Sequence, residues 1–448
     1  MRSIIFGMLL IPCVGTAAWA AQEAEQPATA DSGDRELADR VRRLVGQLND
    51  DRAATRDAAE KELLEMAGTA AGPSDQVLEL IPTPTEEMPL ALRDRVSRVR
   101  QQIEEVAAKA SVIGTTITLD ANQMPLADVL AAIHKQTGNR LLDKREQIGG
   151  GEGGAPATVT LNLLNDPFWP AVDLILDVTN LSVYNYGEDG LGIIVRSPDD
   201  GPRHGLAAYS GPFRMEVLDI QSQLNRRQPT RKSLKLQLEV SWEPRLRPIA
   251  LSHPIADLAA TDDAGQPIPV GQPEAVLDVE VATGTQAAEI ILPFELPSRD
   301  VKRIASLRGK LKALVPGRQA QFKFTDLANA AGKTQTRGGV HVTVDAVRKN
   351  NAIWELHMRL HLDEANRALE SHRGWVFQNL SYLVDAEGKR IEQGGYETTR
   401  QSPNEVGIAY LFDLPEGKGL EGLTWVYETP AAIVELPVVY EIKGIDLP

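Results

Sequence analysis

Four histidines suggest metal chemistry in this chain: His341, His357, His361 and His372, with His357 and His361 four positions apart. On a helix that spacing would bring two imidazoles to one face, as a zinc site requires. Here, however, Trp354, Leu356, Met358, Leu360 and Leu362 alternate with Glu355, His357, Arg359, His361 and Asp363, the pattern of a half-buried strand. Four strand steps of about 3.3 Å set the two backbones roughly 13 Å apart, too far for one zinc ion. If Val340 to Val347 pairs with this strand through a turn at Lys349 to Asn351, matched polar faces place His341 opposite Arg359. A cation there would meet a guanidinium. No metal ligand, catalytic residue or cofactor follows from the sequence.

The second candidate is a basic patch. Two stretches break an acidic background, one from Arg226 to Arg247 and one from Arg299 to Lys323. If folding gathers Arg226, Arg227, Arg231, Lys232, Arg245, Arg247, Lys310 and Lys312, they form a surface for an anionic glycan or an acidic partner. Along Leu307 to Val315 the charges alternate with apolar residues as on any solvent-facing strand. Hydrolase signatures such as Gly-x-Ser-x-Gly and His-Glu-x-x-His are missing, and so is a calcium loop. Gly149 to Gly154 lacks the Lys-Ser/Thr end of a phosphate loop and reads as a connection between strands.

The elements that position these residues fall into several modules. The chain has 448 residues and a formal charge of −15, a balance that disfavours nucleic acid and anionic membranes as partners. Arg2, the apolar run Ile4 to Val14 and Ala18-Trp19-Ala20 read as a secretory signal peptide over residues 1–20. The only cysteine, Cys13, lies inside it, preceded by Ile11-Pro12 where a lipoprotein signal has small residues. Lipid anchoring is therefore disfavoured. The mature chain is expected outside the cytoplasm, periplasmic or extracellular, without a transmembrane segment. Residues 21–33 read as a polar tether.

Residues 34–110 carry helical periodicity, with Leu37, Val41, Leu44, Val45 and Leu48 on one face and a break at Asn49-Asp50-Asp51. The segment Leu44 to Ala67 resembles a HEAT-like repeat, a resemblance that implies a protein-binding surface. Residues 115–197 state one pattern twice. Strand Thr115 to Leu119 leads into a helix at Met124-Pro125-Leu126 that stops at Thr137-Gly138-Asn139. Strand Ala157 to Leu163 leads into a second helix at Asp166-Pro167 that stops at Thr179-Asn180-Leu181, and a hairpin follows. Proline suits a first helical turn, and Gly or Asn suits the left-handed position past the end. With Pro-Leu-x-x-Val-Leu-x-x-Ile and Thr-Gly-Asn in this order, the segment resembles the short N-terminal domain of secretins and TonB-dependent transducers. That resemblance implies a small α/β protein-interaction module of the envelope. No secretin ring or barrel pattern follows, so secretion and receptor functions do not carry over.

Residues 211–328 and 336–448 read as two copies of one all-β domain, expected to be tandem immunoglobulin-like sandwiches. Phe213 to Ile220 answers Val340 to Val347, and Leu234 to Trp242 answers Trp354 to Leu362. Thr261 to Gly265 answers Val384 to Gly388, and Leu292 to Pro297 answers Tyr410 to Pro415. The whole layout resembles groups of uncharacterised exported bacterial multidomain proteins. The expected fold class is thus multidomain α+β. The expected function is a non-catalytic envelope protein that binds another envelope protein or a surface polymer. The alternative, an exported hydrolase acting on glycans or other envelope polymers, requires a cleft gathering carboxylates or histidines with shifted pKa.

Overall fold

Leu44, Val41 and Leu63 have no partner within a single amphipathic helix, so the first helices must pack on one another. In the computed structural model, which describes residues 30–67, 74–85, 87–148, 157–187, 190–205, 207–228, 232–282, 284–363, 374–415 and 418–448, they do. Residues 1–20, Cys13, most of the tether, Gly149 to Gly154, Arg231 and His372 lie outside the described residues. Helices α1 (Ala30–Gln47), α2 (Ala53–Ala67), α3 (Ser74–Leu80) and α4 (Leu90–Ser111) share one core, in which Val41, Leu44 and Leu63 meet Val96, Val99 and Ile103. The Arg56 guanidinium donates to the carbonyls of Asp50 and Asp51 and closes the α1–α2 turn. No helix among the described residues is long and apolar enough to cross a membrane.

Next come β1 (Thr116–Pro125), α5 (Leu126–Thr137), β2 (Leu141–Asp143), β3 (Thr158–Pro167), α6 (Phe168–Thr179), β4 (Leu181–Tyr184) and β5 (Leu191–Val195). Both helices start directly after a proline, and they end at Gly138 and Asn180 with φ of 71° and 53°. The two pattern copies assemble reciprocally. β1 pairs antiparallel with β3 from Thr116↔Pro167 to Pro125↔Thr158. Gln123 and Asn165 take matching left-handed φ of 49° and 57°. The Gln123 amide donates to the Thr160 hydroxyl, and the Asn165 amide to that of Thr118. Equivalent residues thus satisfy one another about a local two-fold axis. β2, β5 and β4 form a separate three-stranded sheet.

The rest is strand-rich. Its first half contains β6 (Ala208–Ser210), β7 (Phe213–Leu224), β8 (Lys232–Trp242), β9 (Ala250–Pro254), β10 (Ala259–Asp262), β11 (Pro267–Ile268), β12 (Val276–Glu280), β13 (Ala287–Phe294) and β14 (Arg303–Phe324). Its second contains β15 (Thr334–Arg337), β16 (Val340–Asn350), β17 (Ile353–Leu362), α7 (Gly374–Phe377), β18 (Leu380–Val384), β19 (Arg390–Glu392), β20 (Gly395–Ser402), β21 (Glu405–Asp413) and β22 (Thr424–Asp446). One sheet runs β13-β8-β7-β6 and another β15-β16-β17-β21-β20, the same order in each half apart from the added β20. The architecture is multidomain and mixed α+β.

The halves are not separate beads. β14 and β22 pair antiparallel along nearly their whole lengths, from Arg303↔Asp446 to Phe324↔Trp425, at the centre of a sheet ordered β11-β10-β14-β22-β18-β19. Each strand pairs with its own half's hairpin through its first residues and then crosses into the other half. Leu307, Leu311, Ala313 and Val315 of β14 enter the first core, whereas Ala320, Phe322 and Phe324 enter the second. In β22, Trp425, Tyr427 and Ala431 belong to the second core, whereas Val438, Tyr440 and Ile442 belong to the first. Side chains alternate faces along a strand, so this switch between odd and even numbers means that opposite ribbon faces serve the two cores. The switch falls at Gly317 and Ala432, where the pairing register runs on unchanged and Ala432 takes a left-handed φ of 51°. A Cβ on Gly317 would lie 2.2 Å from the Ala108 Cβ, so glycine there lets α4 lie directly on the ribbon.

Candidate functional site

Folding divides the basic residues of the sequence rather than gathering them. Arg226, Arg227 and Lys232 are exposed at the tip of the β7–β8 hairpin. Arg245 and Arg247 follow the other end of β8, about 33 Å away along an 11-residue strand. Lys310 and Lys312 project from the ribbon, and the Lys312 ammonium lies 2.9 Å from Glu435. Arg245 and Arg247 line one cavity together.

The histidine register also differs from the sequence expectation. His341 lies opposite His361, and Arg359 lies opposite Thr343. The cause is a bulge between Val344 and Ala346, together with a tighter turn in which Asn350 already pairs with Ile353. The His341 Nε2 is 2.6 Å from Asp363 Oδ1 and its Nδ1 is 2.8 Å from the Thr336 hydroxyl. His357 Nε2 is 3.0 Å from Glu355. Among the described residues no three such side chains are arranged to hold a metal ion.

What the sequence did not reveal is the charged interior at the module junctions. Asp173 of α6 is fully buried against Arg214 of β7, with Nε to Oδ2 at 2.7 Å. The Tyr209 hydroxyl and the Arg203 Nε donate to the same carboxylate at 2.7 and 3.1 Å. Glu243, also fully buried, accepts from the Thr115 amide and hydroxyl, from Asn139 Nδ2 and from Arg245 Nε. Arg245 also donates to the carbonyls of Ser111 and Ile113, so one side chain holds the end of α4, the α/β unit and the first β half together. Glu104 of α4 binds the Arg318 guanidinium and accepts from the Gly338 amide at 2.8 Å. The indole of Trp169 donates to the Pro212 carbonyl at 3.0 Å.

On the outer face of the four-stranded sheet, Glu216, Glu239 and Glu289 lie directly opposite one another on β7, β8 and β13. Like charges in such a row are unfavourable. Burial raises the pKa of Glu239, and neighbouring Glu216 adds to the rise, against the opposing influence of Arg214, Asn185 and Ser241. The folded protein therefore holds this proton more tightly than the unfolded chain does, and stability falls as pH rises from the ordinary carboxylate range toward neutrality. Glu239→Gln is expected to gain a few tenths to about 1 kcal/mol at pH 7. The Asn185 Oδ1, buried without a donor, can turn to accept from the new amide. The gain should vanish near pH 4, where Glu239 is itself neutral; urea midpoints equal to the parent at both pH values would refute the assignment.

The strongest candidate site is a cavity of about 780 Å³ at the meeting point of the α/β unit and both β halves. His134 and Arg140 line it from the first, Trp242, Arg245, Arg247 and Gln286 from the second, and Trp375, Asn379 and Glu428 from the third. The lining holds three arginines and one carboxylate, with Arg245 already paired to Glu243. Glu428 accepts from the Tyr382 hydroxyl at 2.7 Å and from Gln321 at 3.0 Å. Arg140 and Arg247 have no ion-pair partner among the described residues, so the cavity carries positive charge suited to an anionic group. Comparison with protein families and with curated proteins finds no match for this chain.

Proposed function

We propose that this chain is an exported cell-envelope protein that acts as an interaction scaffold, with the 780 Å³ cavity receiving an acidic segment of a protein partner. The observation that carries the reading is the joint construction of that cavity by three modules, of which the α/β unit and the first β half are joined by the buried Asp173–Arg214 pair and the two β halves by the β14–β22 ribbon. A site assembled from several modules requires them to keep one arrangement, which is the property a scaffold needs. The resemblance of residues 115–197 to an envelope docking domain and the signal-like residues 1–20 support the same reading. So does the immunoglobulin-like reading of the two β halves, since sandwiches of that kind commonly serve as spacers or binding modules.

The rival hydrolase reading finds some footing in the Glu216–Glu239 pair, in which burial raises one carboxyl and an arginine faces the other. Glu239 is only 9% exposed and its oxygens are occupied by Asn185 and Ser241, which leaves a glycan no approach. The test uses crosslinking in living cells followed by purification of the captured protein. Arg140→Glu with Arg247→Glu, both at exposed positions, is expected to weaken binding of the purified partner at least tenfold while thermal stability is kept. Unchanged affinity in the double variant would remove the cavity from the proposal.

A further inference from the structure

A second cavity, of about 600 Å³, lies between α4 and the second β half. Arg100, Lys323 and Arg337 line it, and Arg318 stands behind them through its bond to Glu104. Both carboxylates at its wall are already committed. Glu104 is held by Arg318 and the Gly338 amide, and Asp363 is held by His341. Lys323 and Arg337 have no ion-pair partner among the described residues. Arg100 donates to the carbonyls of Leu78 and Ile81, contacts that fix the guanidinium in place without neutralising it. Burial disfavours its charge, Glu104 favours it, and the nearby charges of Arg337 and Arg318 oppose it again. Three cations crowded into a small volume are relieved by an anion whose oxygens reach more than one of them, and arginine matches a carboxylate in two-point geometry.

Much of the remaining lining carries hydroxyls and amides, with Ser97, Gln101 and Thr336 among its residues; the Ser97 hydroxyl donates to the Arg93 carbonyl and the Thr336 hydroxyl is bonded to His341 Nδ1. The Gln101 amide can both donate and accept, the Ser97 and Thr336 oxygens keep lone pairs that accept from sugar hydroxyls, and the volume falls in the range of small-ligand sites. We propose that this cavity binds an acidic saccharide, with its carboxylate toward Arg100, Lys323 and Arg337 and its hydroxyls against Ser97, Gln101 and Thr336. The inference is independent of the docking cavity, since the two share no lining residue.

The test is calorimetric titration of the mature chain with digalacturonate, with the neutral disaccharide maltose and with sodium phosphate. Digalacturonate is expected to bind one to one, with maltose and phosphate each at least tenfold weaker. Arg337→Ala and Lys323→Ala, both at exposed positions, should each weaken the uronate several-fold, and together abolish measurable binding. Thermal melts would show that these variants stay folded. The Arg140→Glu, Arg247→Glu variant should bind the uronate like the parent, which separates failure here from failure of the docking proposal. No uronate binding at millimolar concentration, or parent-like affinity in the Arg337 and Lys323 variants, overturns the site. Phosphate binding as tight as the uronate overturns the saccharide assignment.

Discussion

A chain ended at Ala432 loses the fold of its first β half, although the missing residues lie more than a hundred positions beyond it in sequence. The deletion removes Val438, Tyr440 and Ile442 from the first core, where they are 1%, 3% and 5% exposed. Each fully buried side chain of this size contributes about 1.5 to 3 kcal/mol, so the three together are worth roughly 6 kcal/mol. That is of the order of a whole domain's stability, about 5 to 15 kcal/mol. It also strips hydrogen-bonding partners from the first residues of β14. The second core keeps Trp425, Tyr427 and Ala431 and should survive. Hydrogen exchange read by mass spectrometry should then show β8 and β13 unprotected while β17 and β21 remain protected. Full protection of β8 in the shortened chain would show that the first half does not depend on the exchanged strand.

Asp173→Ala is expected to be the most damaging single substitution at the junction between the α/β unit and the β halves. It leaves the Arg214 guanidinium, whose side chain has no solvent exposure, without its main counter-charge. Removing one partner of a buried pair costs about 3 to 5 kcal/mol, because the remaining charge stays desolvated. Glu216 still pairs with Arg214 and should keep the loss toward the lower end. Urea unfolding should show a lower midpoint with an unchanged slope. The double variant Asp173→Leu with Arg214→Met should recover part of the loss, since apolar replacement of both partners removes their own desolvation penalty while Tyr209 and Arg203 still lose their acceptor. If Asp173→Ala unfolds at the parent's midpoint, the pair does not hold this junction.

The sequence by itself determined much of the local structure. Pro125 and Pro167 mark helix starts, Gly138 and Asn180 mark helix ends, and the alternation through Trp354 to Leu362 marks a strand whose even positions are apolar. These features act within a few residues, through backbone sterics and side-chain periodicity, so they can be read without a partner. Even the phase change in β14, from odd apolar positions through Val315 to even ones from Ala320, is visible in the sequence. It tells only that the strand turns its other face inward. Backbone hydrogen bonds are the same for every residue type, so nothing in β14 names β22 as its partner. The histidine register shows the same limit, because a tighter turn and a one-residue bulge together exchanged Arg359 for His361 opposite His341. Only the tertiary structure decided that Asp173 would meet Arg214, and that Arg245 would end far from Arg226 and beside Arg140. Charged groups at such separations carry no periodic signal, and their value depends on burial, which exists only once the modules have docked.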